Sequence, residues 1–523
     1  MPRTVSLGWL VSVAFLMLAT VPPLEHYLRN PDSGFQLSLG WLAIAGDFPF
    51  VDMLQHYGPL VTFTSAAGLA IHPSVLPEVI LCSLGYALAI YCLFDLFKTI
   101  TPNRHLAIAA GLAVSLAGWV LRAKFYKWYY WLFQLLTLAV LARAAAKGPG
   151  SKRWALAAGL IAGIGFLYRH DLGTACFLTS AATLGMQMWA ARQDRRWWHG
   201  LGWLTSGFVL PVLAWLAVLS AVGGEAGCRG YLSTLWIGSA RTARHWSMPL
   251  PRWDMQSPFS PDSCRFLIFA LMGLCYTVAL VWGATAMLRK RPCNPYDAAL
   301  AAGGLLGVLI SPQGLFRPDV HHLLQAIPPF LAVAGILLVR LVSRCWSAPP
   351  VGWRRVAGVV ATGACVAAIS LLFWQQRRDM GQTWGPGVLA SVGRYRDLGR
   401  GLDAADPTIP VVQVARFIRS RTSADARILV TPILPQLYYW AARPMSGMVN
   451  AYAGIFATDF WRAGNLDAVR RRPPALLVVD RGFLASDPQT LFVLHNPELH
   501  AWLKTHYPRV VFETPELVVC APQ

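Results

Sequence analysis

Apolar runs of roughly 20 residues, the length at which a helix crosses a hydrocarbon core about 30 Å thick, recur along most of this sequence. The candidate spans are 5–22, 77–97, 105–121, 127–145, 153–168, 172–191, 201–222, 266–288, 296–312, 322–343 and 356–374, about eleven by that length rule. Of the 523 residues 55% are hydrophobic and 13% charged, which excludes an ordinary soluble protein of two or three domains and makes the bilayer the natural solvent. The N-terminal stretch MPRTVSLGWLVSVAFLMLATVPP has a basic start but no small-x-small cleavage site, and reads as an uncleaved first span.

The net charge of +20 follows membrane topology rather than nucleic-acid binding, because Lys and Arg fall in short clusters between apolar runs and not along one face of a helix. Basic residues in short loops mark the cytoplasmic side. With Arg3 inside, the clusters Lys98/Arg104, Arg143/Lys147/Lys152/Arg153, Arg192/Arg195/Arg196, Arg289/Lys290/Arg291 and Arg340/Arg344/Arg354/Arg355 all fall on that side. The parity requires that Pro59–His72 does not cross; this stretch reads as a helix at or dipping into the surface. The segments 23–76, 122–127, 169–171, 223–265 and 313–321 then share the outer face with the tail after Trp374. The expectation is a multi-pass protein of a bacterial inner membrane, N-terminus in the cytoplasm.

That tail has more charge, and short β-rich runs (Arg427–Thr431, Ala475–Asp480) alternate with helical patterns such as Val411–Arg421. The fold class expected is an all-α polytopic membrane domain over 1–374, with a first outer loop at 23–76, followed by a small α/β extracytoplasmic domain over 375–523. Most of the ten cysteines lie singly in apolar runs, where a thiol behaves as a small hydrophobe. Cys228 and Cys264 instead share one polar outer loop and are a candidate disulfide pair.

Ionisable residues at membrane depth cost several kcal/mol unless paired or functional, so those at the outer face carry information. Asp32 precedes an amphipathic helical pattern over Gly34–Ala45 and reads either as its cap or as a reactive carboxylate. Arg169, His170 and Asp171 fill a very short turn between two spans, as a structural ion pair or as part of a site. A third cluster brings Arg317, Asp319, His321 and His322 to this face. A fourth, Arg122, Lys124, Tyr126 and Lys127, breaks the positive-inside trend, which suggests an anionic ligand or interfacial anchoring. Taken jointly, guanidinium and ammonium groups suit a phosphate, and an aspartate near them suits proton removal.

The first outer loop runs Asp32-Ser33-Gly34, the amphipathic helix, Gly46-Asp47-Phe48-Pro49-Phe50-Val51-Asp52, then Tyr57-Gly58-Pro59. This order resembles the GT-C superfamily of polytopic glycosyltransferases, in particular its protein-mannosyltransferase and aminoarabinose-transferase branch. The Arg169–Gly173 turn, the Arg317–Pro329 segment, and Tyr438-Tyr439 with Arg443-Pro444 also look like stretches of bacterial members. Ser33 departs from the pattern, since many members carry Glu there, and Gly58 replaces a frequent second Pro.

The resemblance implies an inverting transfer of a sugar from a polyprenyl-phosphate donor to a lipid, glycan or protein acceptor on the non-cytoplasmic face. It makes Asp32 the general base. Lys124, Lys127, Arg169 and Arg317 become the donor-phosphate ligands, with His321 and His322 orienting. Asp52 and Asp171 are second carboxylates for the acceptor or a divalent ion. Some branches use such an ion, but no metal spacing stands out here and no cofactor is assigned. Two other classes fit parts of the pattern: a ligase or polymerase of lipid-linked sugars, which needs no α/β tail, and a secondary transporter, which would place its polar groups at the midplane and carry repeats.

Overall fold

The computed structural model describes residues 3–18, 21–101, 125–148, 151–190, 196–235, 249–258, 260–289, 294–316, 320–347, 388–452, 459–482 and 492–523. Most of these are helical. Five described helices are long and apolar enough to span a bilayer: Leu76–Ile100, Trp128–Lys147, Trp198–Ser233, Pro261–Gly283 and Pro295–Phe316. The expected spans 105–121 and 356–374 lie outside the described residues. Pro59–Ile71 forms a 13-residue helix, which at 1.5 Å per residue reaches only about 20 Å and is too short to cross. Composition and fold together make this a multi-pass integral membrane protein.

The chain packs as two units that cut across the sequence halves 1–374 and 375–523. One contains residues 1–19, 82–213 and 248–385; the other gathers 20–81, 214–247 and 386–523, so the first outer loop packs with the tail.

In the first unit, small residues set the helix spacing. A Cβ at Gly159 would run into the Leu204 carbonyl and one at Gly163 into that of Phe208, so these two glycines, one turn apart, let Lys152–Tyr168 lie close against the Arg196–Ser233 helix. Gly304 and Gly307 do the same for Pro295–Ile310 against Leu280 and Tyr276 of Pro261–Leu288. Arg143 of the Trp128–Lys147 helix pairs with Asp95 of Leu76–Ile100, Nη2 to Oδ1 at 2.5 Å.

In the second unit, a four-stranded sheet has the order β1-β2-β4-β3. The strands are β1 (Ile428–Thr431), β2 (Leu476–Asp480), β3 (Arg509–Glu513) and β4 (Leu517–Ala521). β1 and β2 are parallel, as their connection through the helices Gln436–Ala441 and Asp459–Arg471 requires, whereas β4 is antiparallel to both neighbours. β1 and β4 are buried throughout, which matches their unbroken apolar sequences.

The Pro31–Ile44 helix of the first loop is covered on two sides within this unit. Gly40 lies against Ser65 and Ala66, Ser38 Oγ donates to the Pro435 carbonyl at 2.7 Å, and a Cβ at Gly34 would run into the Gln436 side chain. The glycine of the Asp-x-Gly motif is therefore a packing requirement. The turn after this helix uses Gly46 at φ 98° and Phe50 at φ 65°, the latter a costly conformation for a side chain. Tyr231, 4.9 Å from the Phe50 ring, and Trp215, 6.1 Å away, hold it.

Cys228 sits in the Arg196–Ser233 helix, past its kink at Gly224, and Cys264 in the first turn of Pro261–Leu288.

Candidate functional site

The Arg169 turn is the best-defined polar cluster of the first unit. Helix Lys152–Tyr168 ends because Arg169 takes extended dihedrals (φ −158°, ψ 121°), and the next helix starts at His170. Gly173 makes this reversal possible, since a Cβ there would strike the Phe166 backbone. Asp171 Oδ1 accepts from Leu172 N at 2.9 Å, which satisfies one free N–H of the new helix, and from Arg169 Nε at 3.1 Å. Its second oxygen, Oδ2, accepts from Gln313 Nε2. The Arg169 and Asp171 side chains remain 23% and 35% exposed, so solvent reaches part of the pair.

The Arg169 guanidinium also lies 6.0 Å from the Tyr130 ring, in the first turn of Trp128–Lys147. Three residues earlier, Lys127 ends a 3-10 turn with its side chain buried, donating from Nζ to Gln325 Oε1 at 3.4 Å. The Val320–Ala326 helix that carries Gln325 is tied down by Trp131 Nε1 to the Leu324 carbonyl (3.1 Å) and Gln134 Nε2 to the Gln325 carbonyl (2.9 Å). Arg169 and Asp171 thus form a pair beside Tyr130, Lys127 meets Gln325, and half-buried His322 stands on the helix that carries Gln325. His321 belongs to the same short helix. Lys124 and Arg317 lie outside the described residues. Sequence reasoning missed Gln313 and Gln325: neutral amides carry no charge signal, though both stand within five residues of Arg317, His321 or His322.

Asp32 belongs to the second unit, in the first turn of Pro31–Ile44. The cap of that helix is Asn30, whose Oδ1 accepts from Asp32 N at 3.0 Å and Ser33 N at 3.4 Å, so the capping role considered for Asp32 is taken by another residue. Asp32 is half-buried at a helix N-terminus, where a carboxylate is favoured. Ser33 meets His26 Nε2 through its hydroxyl at 2.9 Å. One turn along the helix, Phe35 stacks on His56 at 5.7 Å and meets Tyr57 edge-on at 5.9 Å, which gathers the Tyr-x-Pro motif around the start of the helix.

Asp52 serves its own loop, accepting from Phe48 N at 3.0 Å. The buried carboxylate of this loop is Asp47, 3.3 Å from Arg427 Nη1 and raised above the usual carboxylate range by burial, with Arg427 opposing the shift. No sequence signal links positions 380 residues apart. Among the described residues, no group of three His, Cys, Asp or Glu side chains is arranged to hold a metal.

No protein-family model matches the chain, and no curated protein matches it in sequence. Solved structures do match in fold. Over 99% of this chain and 97% of the other, the fold superposes on ArnT from Cupriavidus metallidurans bound to undecaprenyl phosphate, with a TM-score of 0.52 at 16% identity. The apo state of the same protein gives 0.51 over the same coverage. AglB from Archaeoglobus fulgidus, an archaeal oligosaccharyltransferase in complex with an inhibitory peptide and a dolichol-phosphate, gives 0.50 at 12% identity, over 97% of this chain and 72% of that one. The chain therefore shares its fold with ArnT and, over the part that superposes, with AglB. ArnT matches it from end to end, tail included.

Proposed function

We propose that this protein is an inverting membrane glycosyltransferase that moves a sugar from a polyprenyl-phosphate donor to an acceptor on the non-cytoplasmic face. The observation that carries this reading is the end-to-end fold match to ArnT, a protein whose structure holds undecaprenyl phosphate. The basic loops support a cytoplasmic N-terminus and an extracytoplasmic tail.

In the proposed step, the acceptor oxygen or nitrogen forms a bond to the sugar C1 as the C1–O bond to phosphate breaks on the opposite side. The bonding pair leaves with polyprenyl phosphate. Asp32 takes the acceptor proton, a role open to it because Asn30 caps the helix. Arg169 and Lys127, with Lys124 and Arg317, stabilise the phosphate charge that grows as the sugar leaves; a phosphate leaving group needs cations more than a proton donor. Asp171 aligns the Arg169 fork, and Gln313 holds Asp171. His321 and His322 orient the donor, and Asp52 shapes the loop that follows the catalytic helix. The fold match extends over the α/β tail, which supports a transferase over a polymerase lacking such a domain.

Asp32→Asn tests the assignment because it removes a base without changing shape. The variant should insert and fold as the wild type and lose transfer by about a hundredfold to ten-thousandfold. Wild-type turnover in Asp32→Asn removes Asp32 from the mechanism.

A further inference from the structure

We propose that the outward face of the Arg196–Ser233 helix between Trp198 and Leu213 binds an anionic phospholipid, with its phosphate at Trp198–Ser206 and its acyl chains along the leucines beyond. The helix has two distinct faces here. Gly200, Leu204 and Gly207 are turned into the protein, with Gly200 against Met188 and Gly207 against the Lys152–Tyr168 helix. Trp198, His199, Gly202, Trp203 and Ser206 lie on the opposite side and line an open groove of about 320 Å³. A Cβ built at Gly202 meets nothing within 4 Å, so the groove is open between the Trp198 and Trp203 positions.

The chemistry of the groove is that of a headgroup site. Its lining offers the Ser206 hydroxyl, indole N–H groups and an imidazole, and holds no carboxylate. Lys152 brings its ammonium to 6.0 Å from the Trp203 ring. In sequence, the segments 147–153 and 192–196 carry Lys147, Lys152, Arg153, Arg192, Arg195 and Arg196 against a single acid, Asp194. That excess of positive charge complements an anionic lipid and not a zwitterionic one.

The apolar continuation selects a lipid over a free phosphate ion. Leu210 and Leu213 are 63% and 56% exposed on the same side of the helix as the groove. From Trp198 they lie 12 and 15 residues along, about 18–22 Å at 1.5 Å per residue. A polar end with aromatic walls followed by an apolar stripe of that length matches headgroup and acyl chain in order.

The test is native mass spectrometry of the purified full-length protein titrated with dioleoylphosphatidylglycerol or dioleoylphosphatidylcholine. Retained phosphatidylglycerol adducts are expected in excess of phosphatidylcholine. Gly202→Leu, whose Cβ meets nothing within 4 Å, should fill the groove and remove the tightest of them. Lys152→Gln should weaken it about fivefold, the effect of one surface cation near a lipid phosphate. Equal retention of the two lipids, wild-type retention by both variants, or displacement by millimolar inorganic phosphate alone would overturn the proposal.

Discussion

Arg169 and Arg443 both stand within two residues of a helix end, one in each packing unit, and the protein uses the same guanidinium in two ways. Arg443 is buried, and it donates to the Thr422 hydroxyl and to the carbonyls of Ala441, Ala442, Arg419 and Thr422. Those acceptors are main-chain or hydroxyl oxygens that close the turn before Pro444. Arg169 instead meets, among the described residues, the Asp171 carboxylate and the face of Tyr130, and keeps part of its side chain exposed. A guanidinium surrounded by backbone oxygens is a structural clamp, whereas one paired with a carboxylate at a partly exposed turn has the chemistry to take an anionic ligand.

Substitution separates the two. Arg169→Gln should lower transfer by about a hundredfold or more with little effect on unfolding, since a lost cation acts at the charge that develops on the phosphate. Arg443→Gln should do the reverse. It strands several buried oxygens and should destabilise the second unit by about 3 kcal/mol or more, read as earlier proteolysis of the tail or a lower unfolding midpoint. Equal stability loss in both variants would erase the distinction.

A smaller effect is expected at Gly34. Gly34→Val forces a side chain into Gln436 and should cost about 1–3 kcal/mol by overpacking, with activity falling alongside because the helix carrying Asp32 shifts. Pairing it with Gln436→Ala should recover part of both. The smallest effect concerns Asp47. Its folded pKa lies above the unfolded value, so its contribution to stability is full below the unfolded pKa and is lost as pH rises through the folded one. Asp47→Asn should remove that acid-side slope from a plot of unfolding free energy against pH, and an unchanged slope would assign the titration to another group.

The sequence carried the local features and lost the distant ones. Apolar run length gave the long helices, and the shortness of Pro59–Ile71 agrees with the parity of basic loops. The tail strands appeared where β-branched runs stood, as at Ile428–Thr431 and Leu476–Asp480. The N-cap went to Asn30 instead of Asp32 because Pro31 occupies the first helical position, a one-residue distinction visible in the Asn-Pro pair. By contrast, the Asp47–Arg427 pair and the packing of Gly34 on Gln436 depend on chain segments hundreds of residues apart. At the Arg169 turn the charged residues were legible and the amides that hold them were not.

The most direct test of lipid-linked transfer is reconstitution of the purified protein in liposomes with a panel of radiolabelled polyprenyl-phosphate sugars and a lipid extract as acceptor. One label should leave its carrier, with polyprenyl phosphate released in equal amount and the sugar appearing on a new molecule with inverted anomeric configuration. A protein that leaves every donor intact, or yields a product of retained configuration, would contradict the account.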